Sequence, residues 1–183
     1  MQTIAAIEPD ITMRELLESY PGAQRALFKK YHIGGCASCG FRPDETLAGV
    51  CARNENVPVE EVIAHIQSSH EEDLKTQITP GELAATLAAN GANVRLVDVR
   101  TREEFDAARI ESSVLFTQEL MQEMLMKSDR TALVVFIDHA GKRSMDAAAY
   151  FAGHGFSNVK SLRGGINAWS QEIDPNVPRY HLE

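Results

Sequence analysis

The second half of the chain alternates short runs rich in apolar and β-branched residues with stretches in which apolar residues recur at helical spacing. The runs at residues 94–99, 114–116, 133–137 and 158–162 are the length of single strands, and the uninterrupted apolar run at 133–137 is typical of a strand buried on both faces. Strands that alternate with helices predict an α/β domain with a parallel sheet of about five strands and helices on both faces. Two of these helices are predicted to begin with capping boxes, at Thr79 with Glu82 and at Thr101 with Glu104. The helical faces carry these residues: Leu83, Ala84 and Leu87; Leu120, Met121, Met124 and Leu125; Met145, Ala148, Ala149 and Ala152.

The first half shows helical spacing only. Thr12 and Glu15 predict a capping box at the start of a first helix, and the glycine pair at 34–35 is predicted to end a second. We therefore expect a small all-helical domain at 1–67, a polar linker or solvated helix end at 68–77, and the α/β domain at 78–183. The remaining helical faces are Ala23, Leu27 and Tyr31; Leu47, Val50 and Cys51; Val59, Val62, Ile63 and Ile66.

Composition and charge exclude several classes of function. The 183 residues are 44% hydrophobic and 24% charged, which is ordinary for a globular protein, and the net charge is −8. Because neither half carries a basic patch, nucleic acid is not an expected partner. No apolar run reaches the roughly 20 residues of a membrane span, and the first residues do not have the pattern of a signal peptide. We therefore expect a cytoplasmic protein.

The stretch after the apolar run 133–137 has the pattern strand, tight loop, helix. This arrangement aims backbone N–H groups and a helix N-terminus at one point, which suits an anion. We call residues 138–144 the cradle loop. It consists of Asp138, His139, Ala140, Gly141, Lys142, Arg143 and Ser144.

Three separated motifs resemble the rhodanese (sulfurtransferase) family. The segment LVDVRTREEF carries Asp98, Arg100, Glu104 and Phe105 where that family keeps them, the cradle loop ends in Gly-x-Arg-Ser, and residues 164–169 match the closing motif. The resemblance covers residue 78 to about residue 180. It implies a rhodanese-like five-stranded parallel sheet with helices on both faces.

The resemblance also implies that the catalytic residue is missing. The family's loop begins with a cysteine, which attacks a sulfane sulfur and carries it as a persulfide, and Asp138 stands in that position here. Residues 109–113 also depart from the family pattern. We expect no thiosulfate sulfurtransferase activity. Three alternatives stay open: a binding module with a decayed site, a ligand pocket in which Lys142 and Arg143 pair with Asp138, and a hydrolase that uses Asp138.

The cysteines form a second candidate site. Cys36 and Cys39 have the Cys-x-x-Cys spacing of a metal site, a disulfide or a redox pair, and His32 and Cys51 could complete four ligands. Unligated thiols, a redox or sulfur-carrying pair, and zinc or an iron–sulfur cluster all remain open, so no cofactor is assigned. Residues 7–67 resemble a small helical domain found in bacteria and archaea, and also the N-terminal domain of the iron–sulfur cluster repair di-iron proteins.

Two functional hypotheses follow from these resemblances. The first is a rhodanese-like protein without the catalytic cysteine, acting as a binding or regulatory module in sulfur or iron–sulfur metabolism. The alternative is a sulfur carrier or redox protein that uses Cys36 and Cys39, with the rhodanese-like domain docking a partner. In either case we expect the partner to be another protein of sulfur or iron–sulfur metabolism.

The remaining histidines, methionines and the tryptophan are expected to be structural. His139 lies in the cradle loop and is a candidate to face the anion position, whereas the other histidines are expected at the surface. The methionines at 121, 124 and 126 are expected to pack in the core, and so is Trp169.

Overall fold

The structure is a computed structural model that describes residues 6–34, 40–90 and 93–179. The chain divides into two compact units, Met1–Leu74 and Lys75–Glu183. Each unit is described by itself.

The first unit is built from helices around one apolar core. The helices are α1 (Met13–Ser19), α2 (Ala23–Tyr31), α3 (Leu47–Arg53) and α4 (Val59–Thr76). The predicted capping box is present, because the Thr12 hydroxyl accepts the Glu15 N–H and the Glu15 carboxylate accepts the Thr12 N–H. The core contains Met13, Leu16, Leu27, Leu47, Val50, Cys51, Val62 and Ile66.

One expectation for the first unit differs from the structure. Helix α2 ends before the glycine pair, because His32 takes the left-handed conformation (φ 56°) and its N–H bonds back to the carbonyls of Leu27 and Phe28. Of the two alternatives for residues 68–77, a linker or a solvated helix end, the structure has the helix end, because α4 continues to Thr76. The boundary between the two units falls at Leu74/Lys75, inside that helix.

The second unit is a parallel five-stranded sheet with helices on both sides, which confirms the predicted fold class. The strands are β1 (Gln77–Ile78), β2 (Val94–Asp98), β3 (Val114–Leu115), β4 (Leu133–Ile137) and β5 (Val159–Leu162). Their order across the sheet is β1-β5-β4-β2-β3, and every pair is parallel. The helices are α5 (Pro80–Asn90), α6 (Arg102–Ala107), α7 (Gln118–Lys127), α8 (Arg143–Gly153) and α9 (Gly165–Glu172).

Alternating residues of the strands feed two apolar clusters, because successive side chains of a strand point to opposite faces. Leu96, Val135 and Ile137 pack in a cluster with residues of α5 and α9. Val97 and Phe136 pack in the other cluster, with residues of α7 and α8. The central strands are therefore covered on both faces, as the sequence predicted for the runs at 94–99 and 133–137.

Three details of the second unit differ from expectation. Strand β1 was missed, because it has only two residues and lies in a segment considered polar. The buried face of α8 uses Phe151 in place of Ala152, which is exposed. Met126 is 82% exposed and does not belong to the core, whereas Met124 is fully buried.

Candidate functional site

The cradle loop joins the end of β4 to the start of α8, at the carboxyl end of a strand inside the sheet. Strand β4 is followed directly by Asp138, and α8 begins at Arg143. The side chain of Asp138 is almost completely buried, because the residue is only 3% exposed. A buried carboxylate requires hydrogen-bond donors in place of water.

The cradle loop supplies those donors itself. The Gly141 N–H donates to Oδ1 of Asp138 at 2.5 Å, and the Arg143 N–H donates to Oδ2 at 2.7 Å. The Ser144 hydroxyl donates to Oδ1 at 3.1 Å and lies 2.8 Å from the hydroxyl of Ser161, and both serines are fully buried. The backbone groups that the sequence predicted to face an external anion therefore bind the loop's own carboxylate.

The N-terminus of α9 holds the loop from the other side. The N–H of Ile166 donates to the carbonyl of Asp138 at 2.8 Å, and the N–H of Asn167 donates to the carbonyl of His139 at 3.2 Å. Gly165 has φ +60°, and a Cβ there would collide with the carbonyl oxygens of both Asp138 and His139. Only glycine allows this approach, so the closing motif of the sequence fixes the position of the cradle loop.

Lys142 and Arg143 do not pair with Asp138 through their side chains, so the structure does not support the alternative that depended on this pairing. Both residues are exposed, and among the described residues no basic side chain lies within ion-pair distance of the Asp138 carboxylate. Arg143 contributes its backbone N–H instead. The physical reason is burial: backbone amides of the loop reach the carboxylate without bringing a second charge into the interior.

A second buried carboxylate fixes the turn after the neighbouring strand β2. The side chains of Asp98 and Arg100 are fully buried. The Arg100 guanidinium donates to the Asp98 carboxylate from Nε at 2.9 Å and from an Nη at 2.7 Å. The same Nη also donates to the carbonyl of Ala108 at 2.6 Å, while Thr101 and Glu104 form the predicted capping box of α6. The two charges of this ion pair neutralise each other, so we interpret Asp98 and Arg100 as structural support for the turn after β2.

The cysteine site can be described only in part, because Cys36 and Cys39 lie outside the described residues. Cys51 is buried in the core of the first unit at 1% exposure, and burial, followed by the nearby charge of Glu60, raises the pKa of its thiol. A thiol held protonated in this way is a poor metal ligand. His32 is exposed at the end of α2.

The predicted ligand set of His32, Cys36, Cys39 and Cys51 therefore stays a prediction that burial of Cys51 disfavours. A search of the described residues finds no group of three or more histidine, cysteine or acidic side chains that could hold a metal.

The histidines outside the cradle loop are less uniformly exposed than expected. His65 and His70 are half-buried in the first unit, where their rings meet Tyr31 and Tyr20 edge-on at 5.7 and 5.0 Å. His154 is exposed, as expected, and His181 lies outside the described residues. Trp169 is buried at 6% exposure, which confirms its assignment to the core.

The structure adds one site residue that the sequence analysis missed. Ser161 lies in strand β5 and is fully buried. Its hydroxyl contacts the hydroxyl of Ser144, the last residue of the cradle loop. Strand β5 reads Val-Lys-Ser-Leu, so the sequence offers two polar residues there and does not single out Ser161. Its partner on α8 cannot be read from sequence, because the two are 17 positions apart.

The family of the second unit is decided by comparison with known proteins. Residues 79–172, just over half of the chain, match the model of the rhodanese-like domain. The chain belongs to the rhodanese-like domain family.

Relatives of this rhodanese-like protein carry sulfurtransferase names. The thiosulfate sulfurtransferase GlpE of Pseudomonas savastanoi pv. phaseolicola is 37% identical over 90 residues, which are 49% of this chain and 83% of GlpE. The adenylyltransferase and sulfurtransferase UBA4 of Debaryomyces hansenii is 26% identical over 189 aligned positions, covering 90% of this chain and 39% of UBA4. The chain thus spans about two fifths of the length of UBA4.

Solved structures of rhodanese-like domains also align with part of the chain. A rhodanese-like domain protein from Staphylococcus aureus is 24% identical with a TM-score of 0.47, covering 58% of this chain and 99% of that protein. None of the helices in the described part of the chain combines the length and the hydrophobicity that a membrane crossing requires.

Proposed function

We propose that this protein is a non-catalytic member of the rhodanese-like family, acting as a binding or regulatory module in sulfur or iron–sulfur metabolism. In this proposal Asp138 stands where the family keeps its cysteine. One observation carries it: the Asp138 carboxylate is buried and bonded by three donors of its own loop.

The chemistry of that arrangement opposes sulfur transfer at the cradle loop. A carboxylate cannot hold a sulfane sulfur as a persulfide. Its negative charge, taken out of water, repels an incoming anion, and the N–H groups of Gly141 and Arg143 already have an acceptor. An external anion would therefore have to displace a carboxylate that is covalently part of the loop.

A hydrolase that uses Asp138 is disfavoured by the same geometry. A nucleophile or general base must reach its substrate within hydrogen-bond distance. The Asp138 carboxylate is 3% exposed and its oxygens accept hydrogen bonds from within the loop, so access to a substrate is blocked. Those contacts also lower the reactivity of its lone pairs, because they stabilise the ground state of the anion.

The link to sulfur metabolism is supported by the relatives. GlpE and UBA4 are named as sulfurtransferases, and MoeZ of Mycobacterium tuberculosis, 34% identical over 56% of this chain and 26% of its own length, is named a probable adenylyltransferase/sulfurtransferase. Because the family fold remains while the site has changed, we infer a partner from sulfur or iron–sulfur metabolism that binds the fold.

The test is sulfur transfer from thiosulfate to cyanide by the wild type, by Asp138→Cys and by Asp138→Ser as a matched control. The proposal predicts no thiocyanate above background for the wild type and for Asp138→Ser. It predicts turnover by Asp138→Cys, whose thiolate can take the outer sulfur of thiosulfate and release sulfite before cyanide removes that sulfur. Turnover by the wild type that is lost in Asp138→Ser would contradict the proposal. A folded but inactive Asp138→Cys would contradict the assignment of this position.

A second candidate function is favoured by the burial of Cys51. Because that thiol is buried and its pKa is raised, any sulfur or redox chemistry of the first unit falls to Cys36 and Cys39. In this alternative those cysteines carry sulfur or sense redox state, and the rhodanese-like unit docks a partner. Replacing both with serine would abolish persulfide formation by a persulfide donor, and unchanged sulfur uptake by that variant would exclude the alternative.

A further inference from the structure

Basic side chains from two segments of the chain meet on the outside of the cradle loop. Lys142 and Arg143 are exposed residues of the loop itself. Arg163, also exposed, follows the neighbouring strand β5. The backbone beside it packs against the loop, because a Cβ added to Gly141 would lie 3.0 Å from the backbone nitrogen of Gly164. The three basic residues therefore belong to one part of the surface.

A fourth basic residue lies on the flank of the loop that α9 covers. The Nε of Arg179 donates to Oδ1 of Asn167 at 3.2 Å, and the N–H of Asn167 donates to the carbonyl of His139. Arg179 is thus connected to the cradle loop through one residue of α9, and it is exposed. We call the four residues the cationic rim; they are Lys142, Arg143, Arg163 and Arg179.

The charges of the cationic rim are only partly neutralised within the protein. Across residues 6–34, 40–90 and 93–179, no carboxylate lies within ion-pair distance of these four side chains. The pKa of Glu82 is lowered first by the N–H and the hydroxyl of Thr79 and then by the charge of Arg163, so Glu82 offsets part of that charge. Asp146, one turn into α8, offsets another part.

The buried charge of Asp138 does not reverse the sign of the cationic rim. Helices α8 and α9 both begin at the cradle loop, and a helix N-terminus carries a positive partial charge of about half a unit. The two helix ends together therefore offset about one negative charge, which is the charge of the Asp138 carboxylate. The exposed basic side chains then determine the potential that a partner meets.

The positive surface is local. The whole chain has a net charge of −8, and on the β2 side of the cradle loop the first turn of α6 carries Glu103 and Glu104. A long polyanion such as nucleic acid would extend beyond the cationic rim and meet this negative charge. A short acidic segment of a protein fits within the rim, and charge complementarity therefore favours it as the occupant.

We propose that the cationic rim binds an acidic segment of the partner protein, with neighbouring aspartate or glutamate side chains. The inference rests on the proposed function, because a module without chemistry acts through a surface that its partner recognises. Arg143 can bind a carboxylate through two parallel N–H groups, and Lys142 adds a point charge beside it. Asp138 has a positioning role, because its bonds with the backbone of Gly141 and Arg143 fix the path of the loop that carries both cations.

The experiment is an NMR titration of the full-length, ¹⁵N-labelled protein with the acetylated, amidated peptide Asp-Glu-Asp-Glu. We expect the amide signals of Lys142, Arg143 and Arg163 to shift, and the affinity to fall as salt is raised from about 50 to 500 mM. The uncharged peptide Asn-Gln-Asn-Gln is the matched control and should cause no shifts there. No sulfur donor is present, so sulfur transfer by the wild type would remove the proposed function without changing this readout.

Charge reversal assigns the binding to the cationic rim. Each exposed ion pair contributes about 1.5- to fivefold in affinity, so Lys142→Glu with Arg143→Glu should weaken peptide binding about tenfold. Lys29→Glu with Lys30→Glu changes the net charge equally at an exposed basic pair on α2 and should weaken it less than about twofold. If the ¹⁵N spectrum shows that the first variant is misfolded, Lys142→Gln with Arg143→Gln replaces it, with an expected loss of about threefold or more.

Three results would overturn the proposal. The first is the absence of shifts at Lys142, Arg143 and Arg163 with millimolar acidic peptide. The second is an equal loss of affinity in the two charge-reversed variants, because it would mean that only the net charge matters. The third is tighter binding at the same residues by a single-stranded oligothymidylate with the same number of negative charges, which would make nucleic acid the ligand.

Discussion

Removing the Asp138 carboxylate should destabilise the second unit by about 2–4 kcal/mol. In Asp138→Ala the N–H groups of Gly141 and Arg143 lose their acceptor, and each buried donor left without one costs about 1–3 kcal/mol. The Ser144 hydroxyl loses less, because the hydroxyl of Ser161 remains 2.8 Å away. The gain from no longer burying a charge offsets part of this cost, which sets the upper end of the range.

Trp169 makes the measurement specific to the second unit. It is the only tryptophan of the chain and is buried in α9, the helix whose first N–H groups bond to the cradle loop. Urea unfolding followed by Trp169 fluorescence at pH 7 gives the free energy of unfolding of each variant. Asp106→Ala removes an exposed aspartate from α6 and serves as the matched control, with an expected change within about 0.5 kcal/mol. If Asp138→Ala is as stable as the control, the carboxylate does not organise the loop and the reasoning fails.

The same unfolding assay tests two further contacts, and a labelling assay tests the buried thiol. Gly165→Ala should lower the free energy of unfolding by about 3 kcal/mol or more, because the added Cβ collides with backbone carbonyls. The control Gly81→Ala has open space around it and should be neutral or stabilising. Equal effects of the two variants would contradict the close approach at Gly165. Asp98→Ala should cost about 3–5 kcal/mol by taking the carboxylate away from a buried guanidinium, and Glu123→Ala, in a half-exposed pair, at most about 1 kcal/mol. With the other two cysteines replaced by serine, Cys51 should resist a thiol reagent in the native state and react fully in urea; rapid native labelling would contradict its burial and raised pKa.

The sequence predicted a feature well when the interacting groups are close together along the chain. The capping boxes at Thr12, Thr79 and Thr101 all form, because the donor and acceptor lie within one helical turn. The apolar runs likewise predicted β2 and β4 to within a residue. The prediction failed where the outcome depended on tertiary packing. Met126 was expected in the core with Met121 and Met124, but it lies on the exposed surface of α7.

The cradle loop was predicted as a location but not as an arrangement. Its sequence places an acidic residue near two basic ones, and pairing of those side chains was one of the alternatives left open. Whether Lys142 and Arg143 point inward or outward depends on the path of the backbone, which Gly141 at φ +88° and the approach of Gly165 determine. That path turns N–H groups toward Asp138 and the basic side chains toward solvent, and no pattern of hydrophobicity encodes it.

We propose above all that the rhodanese-like unit holds a carboxylate in place of a sulfur-carrying thiol. The most direct test is the intact mass of the wild type and of Asp138→Cys before and after thiosulfate, under anaerobic conditions, with any modified residue mapped. We predict one added sulfur atom at position 138 in Asp138→Cys, removed by reductant, and no sulfur added to the second unit of the wild type. A folded Asp138→Cys that gains no sulfur at position 138 would contradict the account, because the second unit of the wild type contains no cysteine that could carry it.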